Sequence, residues 1–400
     1  MPKINLPVKT TPIAPSTIVF FVSGYAADEK ALFPLANNLK FDSPRRYIRG
    51  PLLNLDRTDC TDPKKGIIAF KNESAEADIQ NRLSKINKLA IKSKGKYILV
   101  NPRLCGRHVD ATIELQVSRL IYCLRYLKRD LKTSARIVLI GHSQGGVVNL
   151  LTAVRAKGMV SQIISINSPY SEVQPVKDAF TMIKLLHLGD DAFRNYFRQI
   201  IRGKITDKQT KNLIENAKVY LTPNYLERLK KNFYKTKDRP RLSLVVSTCG
   251  VYNDSLLGWR RSYDGFIPVS SQMDVKYDDV TFLREHALPC EKNSLLMNTV
   301  FDRCLVCHEC GMPELKGRFF VKALLQKKSP NDLMNAMVNG GFDAIEGREI
   351  NPEYKDEPIY TTMYQTYQSP YSHHMIARNK ETALVIRQYL EKVTGMPAKE

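Results

Sequence analysis

RIVLIGHSQGGVVNLLT, residues 136–152, is the stretch that decides the fold of this 400-residue chain. Arg136–Gly141 is a short, mostly apolar run rich in β-branched residues, as in a buried parallel strand. The sequence Gly141-His142-Ser143-Gln144-Gly145 follows at once, and the apolar residues after it have helical spacing. A strand, a tight turn and a helix in this order are the context of a G-x-S-x-G nucleophile elbow, where glycines prevent Cβ collisions between strand and helix. Ser143 is therefore the candidate nucleophile; the alternative is a chance match in another strand-to-helix turn.

Strand-like apolar runs alternate with helical segments along much of the chain. Such runs occur at 16–23, 97–100, 160–166 and 242–248, and the clearest amphipathic helices at 110–131 and 379–393. This alternation predicts an α/β fold with a mostly parallel central sheet, helices on both faces, and its chemistry at the carboxyl ends of the strands. Two long segments interrupt the alternation. The expected division is a first core part (1–171), a helical lid or cap (172–240), an acid-bearing core part (241–280), a second insertion (281–370) and a last core part (371–400).

The composition adds a strong positive charge. The formal net charge is +21, which favours anionic partners such as phospholipid head groups, nucleic acid or an acidic protein surface. A large share of the basic excess lies between Asp191 and Arg241, where it suits either a lid that docks on an anionic membrane or the solvated face of an ordinary helical cap. No nucleic-acid-binding motif accompanies the charge, so a nucleic-acid partner is disfavoured.

The N-terminal sequence, the apolar runs and the cysteine count indicate where in the cell the protein is located. The N-terminus lacks the pattern of a cleaved signal peptide, no apolar run has transmembrane length, and eight cysteines do not indicate a disulfide scaffold. We therefore expect a soluble protein that is cytoplasmic or exported without a cleaved leader, with peripheral membrane association.

A serine nucleophile needs a histidine base and an acid, and in this architecture the chain order is serine, acid, histidine. Asp264 is the preferred acid because it follows the 242–248 strand. Asp254 and Asp274 are neighbouring alternatives. Asp264 could also be a turn residue without a catalytic role, because Asp-Gly is a common turn dipeptide. His373, or alternatively His374, lies in the loop before the final helix, where the base is expected; two solvated surface histidines are the competing interpretation.

The oxyanion of an acyl-transfer intermediate needs backbone N–H donors. We expect one from Gln144, directly after the nucleophile, and one from Tyr25, in the turn after the first strand. This chemistry requires no cofactor.

Three separated blocks resemble one family. Gly141–Gly146, Asn167–Pro169 and Tyr263–Pro268 are together similar to the α/β-hydrolase superfamily, and within it to the lipase-like branch. The resemblance implies hydrolysis of a carboxylic ester with Ser143 acylated, His373 as base and Asp264 orienting it. It leaves both insertions outside. One departure is Ser23-Gly24, where such lipases have His-Gly; backbone donors survive this change, which bears on the substrate more than on the mechanism.

The second insertion holds a cysteine cluster. Cys290, Cys304, Cys307 and Cys310 could bind a structural zinc ion, because the Cys304–Cys307 spacing is that of a metal knuckle. The second knuckle is missing, so free buried thiols are the alternative. Cys-x-x-Cys-His also matches a c-type haem attachment, which needs an oxidising compartment and a leader.

Two classes of function follow. The first is a serine ester hydrolase of lipase or phospholipase type that cleaves an acyl lipid. The second is a hydrolase scaffold that acts mainly as a membrane- or partner-binding module. The complete order of Ser143, Asp264 and His373 favours the first.

Overall fold

The computed structural model describes residues 14–24, 31–41, 44–53, 73–104, 111–173, 211–212, 214–245, 247–254, 259–263, 267, 269–275, 288–289, 303–304, 306–310, 377 and 380–394. Its main element is an open sheet of six parallel strands in the order β2-β3-β1-β4-β5-β6. The strands are β1 (Thr17–Val22), β2 (Tyr47–Arg49), β3 (Tyr97–Val100), β4 (Arg136–His142), β5 (Gln162–Ile166) and β6 (Arg241–Val245). This confirms the α/β fold with a parallel central sheet.

The central strands lie inside the protein on both faces. Every residue of β1, β3 and β5 is buried, and in β4 only Arg136 is partly accessible. Successive side chains of β1 alternate between two hydrophobic clusters: Ile18 and Phe20 join one, and Val19 and Phe21 join the other. Such a strand needs apolar residues at every position, which is why the continuous apolar runs identified these strands.

Helices cover both faces of the sheet. One face is covered by α2 (Glu73–Lys92), α3 (Ile113–Arg125), α4 (Gln144–Arg155) and α5 (Pro223–Lys235). The opposite face is covered by α1 (Phe33–Phe41) and the C-terminal α7 (Lys380–Thr394). Ala383, Ile386 and Leu390 of α7 are buried, as the spacing of this segment predicts. A short helix, α6 (Val269–Gln272), follows the segment that holds the expected acid.

The C-terminal helix is fastened to the sheet by polar contacts as well. The hydroxyls of Tyr97 on β3 and Thr394 on α7 are 2.7 Å apart, and Arg46 forms an ion pair of 3.0 Å with Glu391. The rings of Tyr47 and Tyr97 stack with centroids 4.8 Å apart. The chain that follows the two candidate histidines is therefore anchored on the central strands.

The strand expected over 242–248 is confirmed up to Val245, but its expected C-terminal end is wrong. The main-sheet strand β6 ends at Val245, and β7 (Ser247–Asp254) lies in a separate sheet. In that sheet β7 pairs antiparallel with β8 (Trp259–Tyr263) and parallel with β11 (Val306–Cys310). A further two-stranded sheet is formed by β9 (Leu288–Pro289) and β10 (Arg303–Cys304). The run of β-branched residues continues across this change of sheet, so the apolar pattern does not mark the boundary.

The expected lid segment is described only in its C-terminal part. A π-helical turn (Asn216–Tyr220) and α5 lie there, and Leu226, Leu229 and Phe233 of α5 are buried in the same cluster as α3 and α4. Residues 174–210 lie outside the described residues, so a membrane-docking lid stays a prediction. In the described part, no helix combines the length and the apolarity needed to cross a bilayer.

Candidate active site around Ser143

Ser143 occupies the turn between β4 and α4 at the carboxyl edge of the sheet. Its backbone has φ 55° and ψ −127°, and its side chain is buried, with 7% of the residue exposed. A positive φ with this ψ is a costly conformation for a residue with a side chain, of order 1–3 kcal/mol, and persists only where the surroundings impose it. The strand and helix on either side supply that constraint.

The glycines around Ser143 allow the strand and helix to cross closely. A Cβ at Gly145 would lie 2.1 Å from the carbonyl oxygen of Val22 on β1, and a Cβ at Gly141 would lie 2.6 Å from the carbonyl carbon of Gly145. Gly146 is constrained by the loop after β5, because a Cβ added there would lie 2.1 Å from Ser168 Oγ. The prediction that a Cβ at position 141 or 145 would collide with the crossing strand and helix is thus confirmed.

The chain leaving β1 passes directly over the serine. A Cβ on Gly24 would lie 2.6 Å from Ser143 Cβ and 3.2 Å from its Oγ. The next residue, Tyr25, lies outside the described residues, so its expected role as an oxyanion donor stays a prediction. Gly24 nevertheless places the end of β1 beside the candidate nucleophile.

The start of α4 directs backbone N–H groups toward the same turn. The N–H of Ser143 donates to Ile166 O at 2.9 Å on β5, and the N–H of Gly146 donates to Ser143 O at 3.0 Å. Gln144 is the first residue of α4, and the first N–H groups of a helix have no acceptor within it. The positive end of the helix dipole also favours a negative charge at this position.

The side chain of Gln144 is buried next to the Ser143 turn. The residue is 1% exposed, and its amide nitrogen and oxygen have no hydrogen-bond partner within the part of the chain that the structure describes. A buried amide without partners costs free energy, so this side chain is held in place by packing around the turn.

A group of hydroxyls lies behind the turn. Tyr170 is buried and its hydroxyl donates to Ser165 Oγ on β5. Burial raises the pKa of Tyr170 above its ordinary value, which keeps the phenol neutral and able to donate. Because Ser168 contacts Gly146, this group supports the underside of the turn.

Ser271 joins the loop after β5 to the segment that follows the expected acid. Its buried Oγ accepts hydrogen bonds from the N–H groups of Tyr170, Ser171 and Glu172 at 3.2, 3.1 and 2.8 Å. The same hydroxyl donates to Glu172 O at 2.7 Å. On α6, the Gln272 side chain donates to Ile267 O at 3.0 Å, and Ile267 is 1% exposed. Ile267 and α6 are therefore held against the loop that supports Ser143.

The expected acid and base themselves lie outside the described residues. Asp264, His373 and His374 are the residues concerned. The role of Asp264 as acid and the choice between the two histidines as base therefore stay predictions. The chain beside each is anchored: Ile267 follows Asp264, and Ala377, which is 2% exposed, follows the histidine pair.

The two alternative acids have different positions. Asp274 is an exposed residue whose carboxylate forms an ion pair with the Lys230 ammonium group on α5. It therefore joins α5 to the end of α6. Asp254 is the last residue of β7, in the smaller sheet.

The cysteine cluster is described only as backbone. Cys304 lies on β10, while Cys307 and Cys310 lie on β11, and Cys290 lies outside the described residues. Zinc binding at Cys290, Cys304, Cys307 and Cys310 stays a prediction. Cys123 on α3 is a buried free thiol, and burial raises its pKa to about 12.

The elements that build the Ser143 turn also match a known domain. Residues 103–220 match the PGAP1-like alpha/beta domain. This segment contains α3, β4, α4 and β5, so it includes the turn and the strand beside it. The match covers part of the chain, and together with the six-stranded parallel sheet it confirms the α/β fold that the sequence predicts.

Several solved structures are similar to the chain at low identity. The mature lipase BlEst2 of Bacillus licheniformis is 14% identical, with 61% of this chain and 70% of that chain covered and a TM-score of 0.29. Phospholipase PlaB of Legionella pneumophila is 12% identical, with 65% and 45% covered and a TM-score of 0.37, so the match spans less than half of PlaB. The lin2722 product of Listeria innocua is 13% identical, with 84% and 96% covered and a TM-score of 0.33. No curated protein matches the chain.

Proposed function

We propose that the protein is a serine ester hydrolase of lipase or phospholipase type, with Ser143 as its nucleophile. The observation that carries the proposal is the backbone of Ser143, which is held at φ 55° and ψ −127° between β4 and α4. Backbone strain of this kind clusters at functional sites because the surrounding fold must stabilise it. The glycines at 141 and 145 and the close approach of Gly24 give this strained turn its specific shape.

The proposed reaction has two steps. Ser143 Oγ attacks the ester carbonyl while His373, or alternatively His374, takes the hydroxyl proton and then gives it to the leaving alcohol. Asp264 orients the imidazole and stabilises its charged form. Water then attacks the acyl-enzyme while the histidine takes a proton from that water; the histidine donates this proton to Ser143 Oγ as the bond to the acyl group breaks, and a carboxylic acid leaves.

The tetrahedral intermediates carry a negative charge on the former carbonyl oxygen. The backbone N–H groups of Gln144 and Tyr25 are proposed to donate to this oxygen. The position of Gln144 as the first residue of α4 supports its part, since such an N–H has no helical acceptor and lies at the positive end of the helix. Loss of one such donor typically lowers kcat by about 10²–10³-fold.

The proposed substrate is an acyl lipid ester at an anionic surface. The net charge of +21 supports this choice, because polybasic proteins gain free energy beside anionic head groups. Ester hydrolysis on vesicles that contain anionic lipid should therefore exceed hydrolysis on neutral vesicles, and added salt should reduce the difference.

Substitution of Ser143 tests the proposal. The Ser143→Ala variant should lose hydrolysis of short acyl esters while it keeps the melting temperature of the wild type, because alanine preserves the turn and removes only Oγ. Ser161→Ala is the matched control, since Ser161 is exposed and directly precedes β5. Full activity in Ser143→Ala would end the proposal, whereas a folded wild-type protein without esterase activity would favour the membrane- or partner-binding module.

Separate substitutions decide the base. His373→Ala should reduce kcat by several orders of magnitude while His374→Ala retains most activity. The opposite result would assign the base to His374. Activity in the variant that lacks both histidines would remove them from the mechanism.

A further inference from the structure

A cavity lies at the carboxyl edge of the sheet, where β1, β2 and β3 end. It has a volume of about 220 Å³ and is lined by residues at the ends of β1, β2 and β3 and at the beginning of α1. Its apolar walls include Phe21, Leu32, Ala36 and Leu99, all of them buried core residues. Ligands of open α/β sheets bind at this edge, outside the carboxyl ends of the strands.

The cavity is formed by well-packed backbone. Gly50 donates its N–H to Leu99 O at 2.9 Å, and Leu53 donates to Asn101 O at 3.1 Å, so the chain after β2 is fixed to the end of β3. A Cβ at Gly50 would lie 2.9 Å from a methyl carbon of Val100. The walls are thus positioned by hydrogen bonds and close contacts before any ligand arrives.

One charge borders this apolar space. Arg49 lines the cavity and is exposed, and it has no hydrogen-bond or ion-pair partner among the residues described. Its neighbour Arg46 is instead paired with Glu391 at 3.0 Å. An unpaired guanidinium beside an apolar cavity is complementary to a molecule with an anionic head and an apolar chain, and its planar fork suits a carboxylate.

The volume limits the length of that chain. A cavity of about 150 Å³ lined by apolar side chains accommodates the six carbons of benzene, so this one accommodates about eight carbons. The strand β1 connects the cavity to the candidate nucleophile, because Phe21 lines the cavity and Gly24 contacts Ser143.

We propose that this cavity binds a medium-chain fatty acid, with the chain among the apolar walls and the carboxylate on Arg49. The choice of a fatty acid rests on the proposed ester hydrolysis, which releases a carboxylate of this class. The binding itself does not depend on turnover. The acid that the proposed reaction releases is therefore the ligand expected in this cavity.

Calorimetric titration of the Ser143→Ala protein with fatty acids of increasing length tests the proposal without turnover. Affinity should rise about fourfold per added methylene, hence about fifteenfold from hexanoate to octanoate. It should level off near eight carbons, so that dodecanoate binds within about threefold of octanoate because the cavity is full. Affinity that continues to rise up to hexadecanoate would overturn the assignment to this cavity.

Three variants locate the ligand. Arg49→Gln should weaken octanoate binding about tenfold, since it removes a charge-assisted hydrogen bond. Arg45→Gln is the matched control, because Arg45 is equally exposed and does not line the cavity, and it should change binding by less than about twofold. Ala36→Phe, checked by its melting temperature, should fill the cavity and abolish binding. Equal effects of Arg49→Gln and Arg45→Gln would contradict the proposal.

These results are separable from the proposed catalysis. If the wild type hydrolyses no ester and octanoate still binds with the expected dependence on Arg49, the proposed function is wrong and the cavity assignment stands. If the wild type is active and octanoate does not bind, the cavity assignment is wrong.

Discussion

Replacement of Ser271 by alanine removes the hydroxyl that joins the loop after β5 to α6. The loss leaves Ser171 N–H, Glu172 N–H and Glu172 O without their present partner, while Tyr170 N–H keeps the Ser271 carbonyl at 3.1 Å. Each lost hydrogen bond costs about 0.5–1.5 kcal/mol, and these groups are partly accessible to water, so the free energy of unfolding should fall by about 2–3 kcal/mol.

Urea unfolding of Ser271→Ala and wild type, followed by circular dichroism, measures this difference. Ser161→Ala is the control with the same chemical change at an exposed serine, and it should stay within about 0.5 kcal/mol of the wild type. Because residues 267–272 lie next to the expected acid turn, kcat for a short acyl ester should fall as well, measured well below the melting temperature. Unfolding free energies for Ser271→Ala and Ser161→Ala that agree within error would refute the reasoning.

Three further predictions follow from the described residues. Gly145→Ala should give protein that unfolds at lower urea concentration and lacks esterase activity, because the added Cβ would lie 2.1 Å from Val22 O; a normal urea midpoint would contradict the crossing geometry. Cys123 should not react with a thiol reagent in the folded protein and should react after unfolding, since it is fully buried and its pKa is raised to about 12; mass spectrometry of the labelled peptide reads this out. Burial raises the pKa of Tyr97 from 10.0 to about 12, so this tyrosine stabilises the fold fully below about pH 10 and the contribution is lost as the pH rises toward 12. Ultraviolet absorbance at alkaline pH should show its ionisation together with unfolding, and ionisation near pH 10 in the folded protein would oppose the prediction.

Local patterns in the sequence predicted the parts of the fold that depend on neighbouring residues. The β4 strand, the Ser143 turn and α4 are contiguous, so one apolar run, two glycines and one helical repeat define them. The burial of β1 and β3 followed from apolar residues at every position, the mark of strands covered on both faces.

Contacts between residues that are far apart in the sequence could not be predicted from local patterns. Ser271 lies about 100 positions from the backbone groups that it binds, as its separations of 101, 100 and 99 residues show, and a serine in a short polar helix carries no motif. The transfer of the chain from the main sheet to the smaller one at Val245–Ser247 was missed because apolar and β-branched residues continue through it. The cavity at Arg49 likewise depends on β2, which has only three residues and gives a weak pattern.

The central claim is that Ser143 is an activated nucleophile, and covalent labelling tests it most directly. A fluorophosphonate probe reacts with an activated serine and leaves a stable adduct whose position is read by tandem mass spectrometry of the peptide that contains residues 136–155. We predict a single adduct on Ser143 in the wild type, with labelling lost in Ser143→Ala and in the variant that lacks its histidine base. A folded wild-type protein that remains unlabelled at Ser143 would contradict the account.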